Sequence, residues 1–238
     1  LSSKKAKGTL PENGVVIKTI VTTELAAAIA HSYGIEIMNV LTGFKYIGEK
    51  MTEFAKTGDH TYLIGFEESY GYLGGTYVRD KDAVIASMLI CEMVAFYKAK
   101  GLLLTDVLEE LYKKYGYYFC SQKSFTCEGE SGMKRIAGIM DTLRRDTPAE
   151  IAGERVVRAD DYEKSVSRNL ENGTESKITL PVSNVLCYYM ADGSSLIVRP
   201  SGTEPKIKLY IGSVGVTEED AIAKRTALEE SGTKLLGF

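Results

Sequence analysis

Residues 15–66, VVIKTIVTTELAAAIAHSYGIEIMNVLTGFKYIGEKMTEFAKTGDHTYLIGF, decide the fold. Val15 to Val21 is rich in β-branched residues, with a short polar interruption at Lys18-Thr19, and reads as a strand. Thr22 or Thr23 suits the N-cap of an Ala-rich helix from Glu24 to Tyr33, and Gly34 stands where such helices stop. Ile35 to Leu41 returns as a strand. A helical pattern follows from Phe44 to Lys56, with Ile47, Met51, Phe54 and Ala55 apolar, and Tyr62 to Phe66 supplies a third strand. Strand–helix–strand–helix–strand with short joints predicts a largely parallel sheet covered by helices.

Upstream, Leu10-Pro11-Glu12-Asn13-Gly14 reads like an interdomain linker. Downstream, Asp82 to Lys98 predicts a long helix whose apolar positions (Val84, Ile85, Met88, Leu89, Val94, Phe96) nearly encircle it, so burial is expected. Thr105-Asp106 caps a shorter helix that Gly116 ends. Composition then changes. Tyr117 to Cys127 is β-rich, Gly132 to Arg145 is helical, and Arg155 to Arg158 is a short strand. Residues 163–177 form a polar loop or hairpin around Asn172-Gly173-Thr174. Val185 to Met190 and Ser195 to Val198 pair through Asp192-Gly193, an expected type I′ turn. Thr217 caps a last amphipathic helix expected to fray toward Ser231-Gly232. The reading is an α/β domain with a mixed, three-layer-like sheet over 1–116. A smaller α+β domain over 117–238 follows, its antiparallel sheet covered by helices.

The composition excludes several classes. At 238 residues and 26.1 kDa the chain can bury one large core or two modest ones, and 44% hydrophobic with 26% charged residues is ordinary for a globular protein. A net charge of −3 gives no general surface for nucleic acid or anionic membrane. Cys91, Cys120, Cys127 and Cys187 form no CxxC pair and read as reduced structural thiols, which suits a cytoplasmic protein. No run is long enough to span a membrane, and the opening is no signal peptide.

Two loops carry chemistry. In Val198 to Ile211 a loop between strands gathers anion-binding groups. Arg199 offers a planar fork, Ser201 and Thr203 hydroxyls, and Gly202 a backbone free to turn its N–H groups inward. Lys206 and Lys208, two apart on a strand, face one side. The same residues also suit an ordinary turn with a surface ion pair to Glu204. In Gly65 to Gly71, Glu67 and Ser69 point to one side at a strand's carboxyl end and could read the vicinal hydroxyls of a sugar. By composition alone the favoured reading is that Glu67 and Glu68 form a solvated acidic turn or pair with Arg79. Asp80 or Asp82 caps the following helix, and Lys81 could reach a substrate oxygen. His31 and His60 have no partner at metal or nucleophile spacing, so no metal site and no Ser-His-Asp triad is assigned.

GFEESYG (65–71), RDKDAV (79–84) and RPSGTEPKIKLYI (199–211), in that order, resemble the α-D-phosphohexomutases, in their phosphoglucomutase/phosphomannomutase branch. The resemblance runs from Val15 to the final helix and implies the last two of the family's four domains. It implies sugar recognition by Glu67 and Ser69, with Arg79 and Lys81 beside them. It implies phosphate binding by Arg199, Ser201, Gly202, Thr203 and Lys208, with Lys206 a weaker candidate. The family's Ser-His-Asn-Pro nucleophile loop and its Asp-Gly-Asp-Gly-Asp magnesium loop are both absent.

The resemblance therefore implies the C-terminal part of an isomerase, an intramolecular phosphotransferase. It would interconvert hexose 1-phosphate and hexose 6-phosphate through a phosphoserine and a bisphosphate. Mg2+ and hexose 1,6-bisphosphate would serve the whole enzyme, and this part would hold neither. Its expected partners are the hexose phosphate and the N-terminal domains of the same polypeptide, and it is expected to be inactive alone. The alternatives are a phosphoglucosamine mutase, a phosphopentomutase or a non-catalytic sugar-phosphate-binding protein.

Overall fold

The computed structural model describes residues 1–202 and 204–238, with Glu130 described by its backbone alone. The chain divides into two compact units, Leu1–Gly116 and Tyr117–Phe238.

The first unit opens with a short helix, α1 (Ser2–Ala6), ahead of the irregular residues 10–13, and Leu1 and Leu10 pack on the core. Strands β1 (Gly14–Thr19), β2 (Glu36–Val40), β3 (Thr61–Phe66) and β4 (Tyr72–Leu73) form one sheet in the order β2-β1-β3-β4. β1 runs parallel to both β2 and β3, while β4 is antiparallel to β3. β1 is the central strand and is buried along its whole length, which explains its β-branched run.

Helices α2 (Leu25–Ser32) and α3 (Lys45–Thr57) cover opposite faces of this sheet. Ala30 joins Val16 and Ile35 on one side, and Ile47, Met51 and Phe54 join Val15 and Ile17 on the other. The crossovers therefore part on either side of β1, and the carboxyl ends of β1 and β3 border the crevice where α/β sheets bind ligands. α4 (Ala83–Lys98) and α5 (Leu104–Tyr115) complete the unit. Asp82 caps α4 by accepting from the N–H groups of Val84 and Ile85, and Asp106 accepts from the Leu103 N–H ahead of α5. One expectation fails here. α4 is apolar on nearly every side, yet none of its residues is buried.

The second unit is built on β5 (Tyr117–Thr126), β7 (Glu154–Asp161), β8 (Val166–Asn169), β9 (Glu175–Lys177), β10 (Leu186–Met190), β11 (Ser195–Pro200) and β12 (Lys206–Gly215). They form an antiparallel sheet in the order β5-β12-β11-β10-β7-β8-β9, and the short β6 (Glu150–Ile151) pairs with β7. α6 (Glu130–Arg145) and α7 (Glu218–Leu235) cover one face, burying Ile136, Met140 and Leu228 against Tyr188, Leu196, Val198 and Leu209. The α/β unit followed by an α+β unit is the class the residue pattern predicted.

Two local expectations change. The β10–β11 turn is not type I′, because only Gly193 takes positive φ (89°), whereas that turn needs two such residues. It is a three-residue connection, with Met190 N–H bonded to the Ser194 carbonyl and Gly193 N–H to the Met190 carbonyl. α7 does not end at Ser231-Gly232. Gly232 is where the helix comes closest to the sheet, since a Cβ there would stand 2.7 Å from Leu209 and 2.8 Å from Leu196. The absent side chain lets the helix pack rather than stop.

Candidate functional site

The crevice of the first unit holds a group that sequence reading passed over. Lys18, at the carboxyl end of β1, is completely buried. Its Nζ donates to the Thr22 carbonyl at 3.0 Å and to Glu24 Oε1 at 2.8 Å. Thr19 and Thr22 share a hydroxyl hydrogen bond of 2.8 Å, and Thr19 Oγ1 donates to Glu68 Oε2 at 2.9 Å. A buried ammonium persists only when its donors are answered, and here neighbouring oxygens answer it. The available signal was a lysine inside an otherwise apolar strand, followed by Thr19, Thr22 and Glu24.

That network anchors one side of the 67–71 loop. The loop closes on itself through a 2.9 Å hydrogen bond from Glu67 N–H to the Gly71 carbonyl. Glu68 is turned back toward β1, so it is not the free acid that the sequence offered. Glu67 lies across Gly71, where a Cβ would stand 2.6 Å from Glu67 Oε1 and 2.8 Å from Lys81 Cδ. A larger residue at 71 would push the Glu67 and Lys81 side chains aside. Glu67, Gly71 and Lys81 therefore sit together, with Lys81 Nζ 2.9 Å from Asp80 Oδ1 and 5.3 Å above the Phe44 ring. Donation from Lys81 holds the Asp80 carboxyl below its usual value. At the tip, Tyr70 takes φ 65° and is 87% exposed.

Arg79 is placed differently from Lys81. Its Nε donates to Thr52 Oγ1 at 3.3 Å, and its Nη1 donates to the Thr76 and Val78 carbonyls at 2.5 and 3.0 Å. The guanidinium thus fastens residues 76–79 to α3. Its backbone carbonyl stands 2.3 Å from where a Cβ on Gly48 would lie.

In the second unit, residues 201–205 join β11 to β12. Ser201 N–H donates to the Lys206 carbonyl at 2.8 Å, and Ser201 Oγ accepts from Glu204 N–H at 3.3 Å. Cys127 N–H bonds to the Pro205 carbonyl at 2.8 Å, tying the loop to the neighbouring strand end. Nothing lies within 4 Å of where a Cβ on Gly202 would stand. Thr203 lies outside the described residues.

The strand register pairs Arg199 directly with Lys208, so two cations project from the same face at adjacent positions. Lys206 is engaged with Glu204 at 3.2 Å. Arg199 and Lys208 make no ion pair among the described residues.

Among the described residues, no three His, Cys, Asp or Glu side chains are grouped so that they could hold a metal ion. All four cysteines are free thiols. Cys187 is buried, and burial pushes its thiol well above the ordinary range, which keeps it protonated and inert. No helix among the described residues is long and apolar enough to cross a membrane.

Comparison with known proteins bears on the family of both units. The family signature for phosphoglucomutase/phosphomannomutase, alpha/beta/alpha domain III, matches residues 1–115, and that for the C-terminal domain matches residues 143–229. A phosphoglucomutase of Staphylococcus haemolyticus is 39% identical over 202 residues, covering 85% of this chain and 36% of its own length. One of Staphylococcus aureus is 39% identical over 215 residues, covering 90% and 38%. The chain thus spans well under half the length of these relatives.

Among solved structures, the Paramecium phosphoglucomutase parafusin in its open form aligns with TM-score 0.67 at 18% identity, over 93% of this chain and 37% of that one. A Burkholderia thailandensis phosphoglucomutase/phosphomannomutase family protein aligns with TM-score 0.59 at 15% identity, over 99% and 39%. At such identities these structures speak to the fold alone. With both signatures matched in order over the two folded units, the chain belongs to the phosphoglucomutase/phosphomannomutase family.

Proposed function

We propose that this chain is the sugar- and phosphate-recognising part of a cytoplasmic hexose-phosphate mutase, the remainder of which precedes it in the same polypeptide. The observation that carries the reading is the cross-strand Arg199–Lys208 pair. Like charges directly opposite each other on a sheet destabilise it, so an unanswered pair beside an open loop suits a ligand that brings negative charge. A phosphate monoester supplies that charge and several acceptor oxygens, which a planar guanidinium and an ammonium can bind together. Ser201, Gly202 and Thr203 complete the clamp in this reading, and Lys206, held by Glu204, contributes less.

Residues 1–116 serve as the sugar reader and residues 117–238 as the phosphate clamp. Glu67 and Ser69 accept from and donate to ring hydroxyls, Lys81 stands beside them, and Lys18 holds the loop's base through Thr19 and Glu68. Arg79 acts by securing the segment that carries Lys81. Rate in such a mutase comes largely from positioning a sugar phosphate in either of two orientations, which fixed recognition groups can supply. The phosphoserine, the magnesium loop and the hexose 1,6-bisphosphate cycle belong to the preceding part, so the chain alone is expected to turn over no glucose 1-phosphate.

The test is mutase activity of the full-length polypeptide on glucose, mannose, glucosamine and ribose phosphates. Arg199→Ala should raise KM and lower kcat. Unchanged kinetics would remove the direct phosphate role. Activity confined to glucosamine or ribose phosphate would move the chain to a neighbouring branch, and no activity at all would favour a binding protein.

A further inference from the structure

α4 is built for a core and is not in one. Its sequence, AVIASMLICEMVAFYK, carries charge only at Glu92 and Lys98. Its inner side leans on Gly74, just past β4, where a Cβ would stand 2.7 Å from Leu89 and 3.4 Å from Ile85. On the opposite side Val84, Met88, Ile90, Cys91 and Val94 are all exposed, Val84 by 80%. At 3.6 residues per turn these positions spread over roughly 160° of the helix. The stripe that a surface helix turns to one neighbour is nearer 100°. Lys98, at the C-terminal end of the helix, is the one charge on this arc, and the turns before it have the composition of a permanent interface core rather than a transient one.

We propose that this outward face of α4 is the docking surface for the part of the full-length polypeptide that precedes the chain, an inference that rests on the function proposed above. Two observations select that occupant. The chain covers only 36% and 38% of the lengths of the phosphoglucomutases it matches, and it matches them from domain III onward, so these relatives carry ample further chain. The arc is also too wide for a symmetric pairing of two α4 helices. A two-fold contact sets one helix against one helix and leaves the flanks of this arc in water.

Cys91 reports on this face, and Cys127 and Cys187 are buried. The experiment is alkylation by iodoacetamide under native conditions, followed by peptide mapping, which separates Cys91 from Cys120. Cys91 should react readily in the 238-residue chain. It should be protected about tenfold or more in the full-length polypeptide, at any protein concentration, and Val94→Lys in that polypeptide should restore its reactivity. Equal reactivity in both proteins would overturn the proposal. So would protection of the short chain that grows with its concentration, which assigns the face to a second copy. Labelling reads coverage and not turnover. A protected Cys91 in an inactive polypeptide would sink the proposed function alone, and a reactive Cys91 in an active mutase would sink this inference alone.

Discussion

Lys18 and the Arg199–Lys208 pair are basic groups on strands, and the protein treats them in opposite ways. Lys18 lies on the central strand of the first sheet, has no contact with water, and donates hydrogen bonds to the Thr22 carbonyl and the Glu24 carboxylate. Arg199 and Lys208 lie side by side near the ends of β11 and β12, and neither makes an ion pair among the described residues. The first cation is completed by the fold and holds a loop in place. The second pair, in the function proposed above, is left for an anion that arrives from outside. Charge alone does not mark a binding site, and the proposal rests on charge that no ion pair answers.

The comparison can be broken most readily at Lys18. Lys18→Ala leaves a cavity along the buried stem and an unanswered Thr22 carbonyl, and should cost about 2–4 kcal/mol in urea unfolding. A loss below about 0.5 kcal/mol would show that the crevice is wet and the network dispensable. Arg199→Ala should do the reverse. It should leave stability within about 0.5 kcal/mol, because it removes a repulsion, while weakening anion binding about tenfold or more.

Replacing Arg199 by Glu sharpens the contrast. Opposite charges then face each other across β11 and β12, so stability should rise by about 0.2–1 kcal/mol as anion binding disappears. Tyr70→Gly relieves a left-handed backbone and discards an exposed ring, so the thermal midpoint should hold or rise, by up to about 1 kcal/mol in stability. A fall would mean that Tyr70 contributes packing.

The smallest effect concerns Asp160, whose carboxyl is raised by burial although Ser167 donates to it. A raised acid binds more protons folded than unfolded, so its contribution to stability falls as pH rises from the ordinary carboxylate value through the folded one. The stability of Asp160→Asn relative to the native chain should therefore increase with pH across that window, as read by thermal melts. A difference independent of pH would mean that Asp160 titrates as it does unfolded.

Much of this was legible in the sequence because periodicity and turn chemistry are local. The strands and helices of residues 15–66, the Asp82 and Thr217 caps and the two-part fold class follow from residue order. What was missed depends on what lies across from a residue. The polar interruption at Lys18 became meaningful only once β1 was central and Thr22 and Glu24 closed over it. Glu68 looked as available as Glu67 until Thr19 was found to hold it. Gly232 read as a helix end because the chain order does not show Leu209 and Leu196 beneath it. The apolar pattern of α4 was read as core chemistry, yet none of its residues is buried, because burial depends on neighbours that residue order does not show.

The account rests on an anion seated between Arg199 and Lys208, and calorimetric titration of inorganic phosphate into the chain at low ionic strength tests it directly. Saturable binding should weaken about tenfold or more in Arg199→Ala and in Lys208→Ala, stay unchanged in Lys177→Ala, and fade with added salt. Identical binding by all four proteins, or none by the native chain, would contradict it.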